Sequence, residues 1–108
     1  MGAPISYPFL GLGFVSVTAA GTPQQIATAR TVYPSIYVAA YKAKGTANSG
    51  ANMYICDDSG KVLIIIPKGT DKFITPGQAR VVGMIDLSVL YLDADTTADS
   101  LLITAQIS

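Results

Sequence analysis

From Phe14 the chain alternates. Val15, Val17 and Ala19 interleave with Ser16, Thr18 and Ala20, the two-residue period of a half-buried strand. Ser35 to Ala43 carries the clearest signal. Ile36, Val38 and Ala40 fall on one face and Tyr37, Ala39 and Tyr41 on the other. Asn52–Asp57, Arg80–Ile85, Val89–Leu92 and Leu101–Ile107 predict further strands. Val62–Ile66 is a continuous aliphatic run, the pattern of a strand buried on both faces. Gln24–Ala29 predicts a short strand or irregular segment, and Gln24–Val32 is the one stretch with a weak helical alternative. Turn chemistry separates these segments: Gly21-Thr22-Pro23, the small-residue loop 45–51, Asp57-Asp58-Ser59-Gly60, Pro67-Lys68-Gly69-Thr70, Pro76-Gly77 and the loop 93–100. Seven or eight short strands with frequent turns predict an all-β fold, a single antiparallel β-sandwich or small barrel.

The first thirteen residues differ from the rest. Pro4 and Pro8 with Gly2, Gly11 and Gly13 exclude a helix and favour an extended path. Ile5, Tyr7, Phe9, Leu10 and Leu12 are too apolar for a free tail. Residues 1–13 therefore read as an extended N-terminal arm on a sandwich domain of residues 14–108. Such an arm lies over its own domain as an edge segment, or docks on a neighbouring subunit.

Composition narrows the function. A chain of 108 residues is one domain, long enough for a core without metal or disulfides. Half of it is apolar, only 13% is charged and mean hydropathy is +0.43. Seven Lys and Arg balance seven aspartates, so no net field attracts nucleic acid or an acidic membrane, and little repulsion opposes self-association. The lone Cys56 cannot form an intramolecular disulfide. No apolar run approaches the ~20 residues of a membrane helix, and the first fourteen residues lack the basic region of a signal peptide.

Catalytic chemistry is poorly provided for. The sequence has no histidine and no glutamate, the commonest acid–base groups near neutral pH. No enzyme activity, cofactor or metal is expected. Asp93, Asp95, Thr97 and Asp99 alternate as calcium ligands do, but Ala98 and Thr104 stand where an EF-hand needs Gly and Glu. These aspartates read as caps on turn N–H groups. Asp57-Asp58 reads as a turn and Cys56 as a small buried hydrophobe. Tyr33, Tyr37 and Tyr41 share one face of a strand. Without a basic patch they suit packing or an interface better than nucleic-acid stacking, with a glycan-binding face as the lesser reading.

Several turn and strand-edge segments form a familiar series: Gly21-Thr-Pro-Gln-Gln25, Ser35-Ile-Tyr-Val-Ala-Ala-Tyr-Lys-Ala-Lys44, Asn52-Met-Tyr-Ile-Cys-Asp-Asp-Ser-Gly60, Thr75-Pro-Gly77 and Ile85-Asp-Leu-Ser-Val-Leu-Tyr-Leu-Asp-Ala-Asp95. The series resembles small jelly-roll-like β-sandwich proteins of tailed bacteriophage virions, over residues 15–106. The resemblance implies a structural protein on the capsid surface, a decoration or cement protein. It would bind the major capsid protein and form a homo-oligomer, dimer or trimer, without nucleic acid or membrane. The interface residues expected are Ile5, Tyr7, Phe9, Leu10, Leu12, Tyr33, Tyr37 and Tyr41. The alternative is a tail- or head-fibre module that reads host glycans through loops 45–51 and 93–100.

Overall fold

Alternation becomes strand wherever one face can be buried. The computed structural model describes residues 9–43 and 46–107, and among these there is no helix. The strands are β1 (Phe9–Ser16), β2 (Gln24–Gln25), β3 (Val32–Tyr33), β4 (Ser35–Ala39), β5 (Tyr41–Ala43), β6 (Thr46–Ala47), β7 (Asn52–Cys56), β8 (Val62–Pro67), β9 (Asp71–Ile74), β10 (Ile85–Asp86), β11 (Tyr91–Ala94) and β12 (Ser100–Gln106). Two four-stranded antiparallel sheets carry the fold, in the orders β1-β12-β4-β9 and β2-β11-β7-β8. Two small ribbons, β3 with β10 and β5 with β6, complete it.

The winding is that of a jelly roll. Set aside the two ribbons, and the remaining strands pair first with last, second with second-last, and so on inward: β1 with β12, β2 with β11, β4 with β9, β7 with β8. One antiparallel ribbon has been doubled and then rolled, so that β12 also meets β4 and β11 also meets β7. Only the innermost pair is a hairpin. Asp57 closes it by accepting hydrogen bonds from the N–H and hydroxyl of Ser59 and from the N–H of Lys61. Gly60 takes φ 88° there, a conformation open to glycine at no steric cost.

The core lies between the two inner faces. Ile36, Val38, Ile74, Leu101 and Ile103 from one sheet meet Met53, Ile55, Ile64, Ile66 and Leu92 from the other. Each fully buried aliphatic side chain contributes about 1.5–3 kcal/mol against exposure, which offsets the entropy of ordering short strands.

Four segments depart from the sequence reading. Ser35–Ala43 is not one strand. It breaks at Ala40, which is fully buried and hydrogen-bonds through its N–H to Thr70 and its carbonyl to Gly69. Val62–Ile66 is buried on one face only. Ile64 and Ile66 point into the core between the two sheets while Ile65 faces outward and stays half exposed; a bulge that leaves Leu63 unpaired puts Val62 out of step with them, and it is half exposed too. Arg80–Ile85 does not extend as a strand, because Arg80 sits at φ 59° and closes a turn from Gly77; pairing begins only at Ile85. Finally, Phe9–Gly13, read as arm, already pairs with β12. The remainder of the arm, with Ile5 and Tyr7, lies outside the described residues.

Candidate functional site: an uncharged outer sheet face

Residues directly opposite in a sheet share a face, so the register composes the surface. Across the β1-β12-β4-β9 sheet one outward row reads Phe14, Leu102, Ala39, Asp71. The next reads Gly11, Thr104, Tyr37, Phe73, and a third Phe9, Gln106, Ser35. Their chain neighbours Ile36, Val38, Leu101, Ile103 and Ala105 are all buried inward, which fixes these rows as the outer face, although the small Ser35 and Ala39 within them are buried as well.

The face is aromatic and almost uncharged. Phe9 is 47% exposed, Phe14 42%, Tyr37 38% and Phe73 41%. Tyr37 and Phe73 lie side by side with ring centroids 6.4 Å apart and planes tilted by 45°. Asp71 is the one ionisable carboxylate in these rows, and it accepts the Tyr37 hydroxyl. That bond, with burial and the carboxylate's charge behind it, raises the Tyr37 pKa above 10.0, so the phenol stays neutral. At roughly 200 Å² per ring, four rings two-fifths exposed offer about 300 Å², comparable to the largest apolar patch of an ordinary monomer.

The expected interface residues divide. Phe9 and Tyr37 belong to this face. Leu10 pairs with Ala105 and so points to the other side of β1, while Leu12 sits at the irregularity between Gly11 and Gly13; both are exposed at the edge. Tyr41 is exposed on the neighbouring β5, its hydroxyl donating to the Gly69 carbonyl at 3.1 Å. Tyr33 does not share their face. It turns inward and packs against the core, because Pro34 separates it from β4 and it pairs instead with Ile85. Phe14, Phe73 and Leu102 lie on the same outer face and are not among the residues the sequence singles out. They sit on three different strands, and only the jelly-roll register brings them beside Tyr37.

The polar candidates serve the fold. Asp99 is fully buried and accepts the N–H groups of Ser49 and Gly50 at 2.8 and 2.7 Å. Asp95 accepts the Asn52 N–H and the Tyr54 hydroxyl, and Asp93 accepts the Gly21 N–H. Asn48 exchanges hydrogen bonds with the backbone of Ser100. Residues 48–50 and 93–100, in the loops that the alternative reading assigns to glycans, thus direct these groups at each other or at their neighbours. Among the described residues no three His, Cys, Asp or Glu side chains converge to hold a metal. Cys56 is buried; desolvation first, and the charges of Asp93 and Asp57 second, push its thiol up to about 11, which leaves it protonated and a poor nucleophile at neutral pH.

Two aspartates make stability depend on acid. Hydrogen bonds from Ser59 and Lys61 hold Asp57 below its ordinary 3.8, and bonds from Ser88 and Thr31, with Arg30 nearby, do the same for Asp86. A pKa lowered by folding means that the unfolded chain binds protons first. The contribution is fully present above 3.8 and is lost as pH falls through the lower folded values. Urea midpoints are therefore expected to stay level from pH 7 to about 5 and to fall below about 4; Asp57→Asn together with Asp86→Asn should flatten the acid limb.

No family model, curated protein or solved structure matches this chain.

Proposed function

We propose that the protein is a bacteriophage virion structural protein, a capsid decoration or cement protein that binds and stabilises the major capsid shell. The observation that carries this reading is the outer β1-β12-β4-β9 face, where Phe9, Phe14, Tyr37 and Phe73 are exposed across three successive rows with Asp71 the one carboxylate. Jelly rolls serve in viral capsids and in lectins, a likeness of fold that supports the reading without deciding it.

Magnitudes favour repetition over single-site affinity. Covering about 300 Å² of apolar surface yields roughly 7 kcal/mol gross. Association costs about 4–15 kcal/mol in lost freedom, so one copy meeting one site binds weakly. An oligomer on a lattice of equivalent sites gains avidity without new contacts. A rigid, neutral sandwich suits that work, and the scarcity of acid–base groups costs it nothing.

Quantitative mass spectrometry of virions from the phage that carries this sequence provides the test. Hundreds of copies per particle are expected. Phe14→Lys combined with Phe73→Lys is expected to lower occupancy at least tenfold, since each places a charge where apolar contact is made. A handful of copies would place the chain on the tail or a fibre, and absence from the particle would end the proposal.

A further inference from the structure

A groove runs along the free edge of β8, on the flank away from β1. One part has a volume of about 730 Å³ and is walled by Leu63, Ile64 and Ile65 with Lys72, Gln78 and Arg80 among the opposing residues. A smaller part of about 250 Å³ continues towards Asp57 and Asp58, and Leu63 and Arg80 line both. β8 ends the order β2-β11-β7-β8, so among the described residues no strand covers its outer edge. Soluble proteins usually blunt such an edge with charge, a bulge or a covering loop. β8 has one such device, a bulge that leaves Leu63 unpaired near its start, but the regular stretch Ile64–Ile66 beyond it carries no charge and Ile65 is 51% exposed.

We propose that this groove receives residues 1–8 of a second copy as an added β-strand. The sequence of that segment is suited to one edge only. Alternate residues of a strand turn their N–H and C=O groups to opposite edges. Ala3, Ile5 and Tyr7 fall on one edge and each can donate an N–H; Pro4 and Pro8 fall on the other and cannot. Such a segment pairs with an open strand and terminates the sheet it joins. Ile5 and Tyr7 share a side, available to the apolar wall at Leu63 and Ile65.

Geometry selects a second copy. β1, which begins at Phe9, lies at the opposite end of its sheet from β9, the strand that flanks the groove beside β8. Three strand spacings separate them, about 14 Å. Eight extended residues reach about 26 Å. Folding back over its own sheet would use more than half of that reach and leave fewer than four residues to pair. A neighbouring copy can lay the whole segment along β8. The inference is independent of the virion reading, since donor and acceptor are both in this chain.

The full-length chain tests it in solution by native mass spectrometry and sedimentation. Wild type is expected to self-associate. Ile5→Pro and Tyr7→Pro each remove an inward N–H and should weaken association about tenfold; Pro4→Ala, on the outward edge, should not. Ile65→Lys charges the acceptor edge and should leave the chain monomeric, with unchanged melting because the residue is half exposed. Mixing Ile65→Lys with the double variant Ile5→Pro, Tyr7→Pro pairs an intact donor with an intact acceptor, and a one-to-one heterodimer is expected. A monomeric wild type, equal weakening by Pro4→Ala and Ile5→Pro, or a mixture that stays monomeric would each overturn the proposal.

Discussion

Asp99→Ala is expected to lower stability by about 2–4 kcal/mol and the melting temperature by about 10–20 °C. Asp99 is fully buried, and its carboxyl oxygens divide between the Ser49 and Gly50 N–H groups. Alanine leaves the Gly50 N–H buried without a partner, which costs about 1–3 kcal/mol. The Ser49 N–H is less enclosed and can recruit water, so its loss weighs less. Asp99→Asn separates shape from chemistry. It keeps the volume but turns an NH₂ donor towards one of two N–H donors, and about 1–3 kcal/mol should still be lost. Urea unfolding of the three proteins, read at pH 7, measures the series. Equal stability of wild type and Asp99→Asn would show that the carboxyl group fills space and does not cap the loop.

That residue organises more than one loop. Its carbonyl accepts the Val17 N–H, while the Val17 carbonyl accepts the Ala98 N–H. Asn48 grips Ser100 next door, and Ser100 begins β12. β12 is flanked by β1 and β4 and supplies Leu102, Thr104 and Gln106 to the outer face. The apolar surface and the buried aspartate are therefore linked in one structure. The strand that crosses the middle of the face is hydrogen-bonded to residues 17, 48 and 98 at its Asp99 end.

The sandwich was legible in the sequence because alternation and turn chemistry agreed. Ile36, Val38 and Ala40 are fully buried, with Tyr37 and Tyr41 on the exposed side, as their parity requires. Asp57–Gly60 closes a turn through the side-chain bonds its composition implies. Parity fails where two apolar faces cannot be told apart. The run Val62–Ile66 gives no local sign of which side meets solvent, and its place at the end of a sheet is a tertiary fact. Tyr33 misleads for a related reason. Spacing by four puts it in line with Tyr37 and Tyr41 only if the strand is unbroken, and Pro34 breaks it. The aromatic outer face is half visible in the sequence. Phe9 and Tyr37 stand out as aromatic residues of the arm and of the clearest strand, whereas Phe14 and Phe73 are far apart in the chain and reach the same surface only after the ribbon is rolled. Asp99 was read as a turn cap, yet nothing local distinguishes it from Asp93 and Asp95. Its burial follows from the approach of residues 48–50.

Gly50→Ala should be the second severe lesion, at about 2–3 kcal/mol. A methyl group at position 50 would stand 2.6 Å from Thr96 Oγ1, 3.0 Å from Asp99 Oδ2 and 3.1 Å from Asp95 Cβ. Thr96 can turn its hydroxyl aside. Asp99 cannot yield without surrendering the bond from the Gly50 N–H itself, at 2.7 Å. The backbone angle is not at fault, since Gly50 lacks the positive φ seen at Gly60; close approach alone demands glycine here. The two lesions strike one contact, so they should not add. With alanine at 99 the obstructing oxygen is gone, and Gly50→Ala should then cost at least 1 kcal/mol less than in wild type. A double-mutant cycle on urea midpoints measures that difference. Strict additivity would mean that Thr96 and Asp95 supply the whole clash and that Asp99 takes no part in excluding a side chain at position 50.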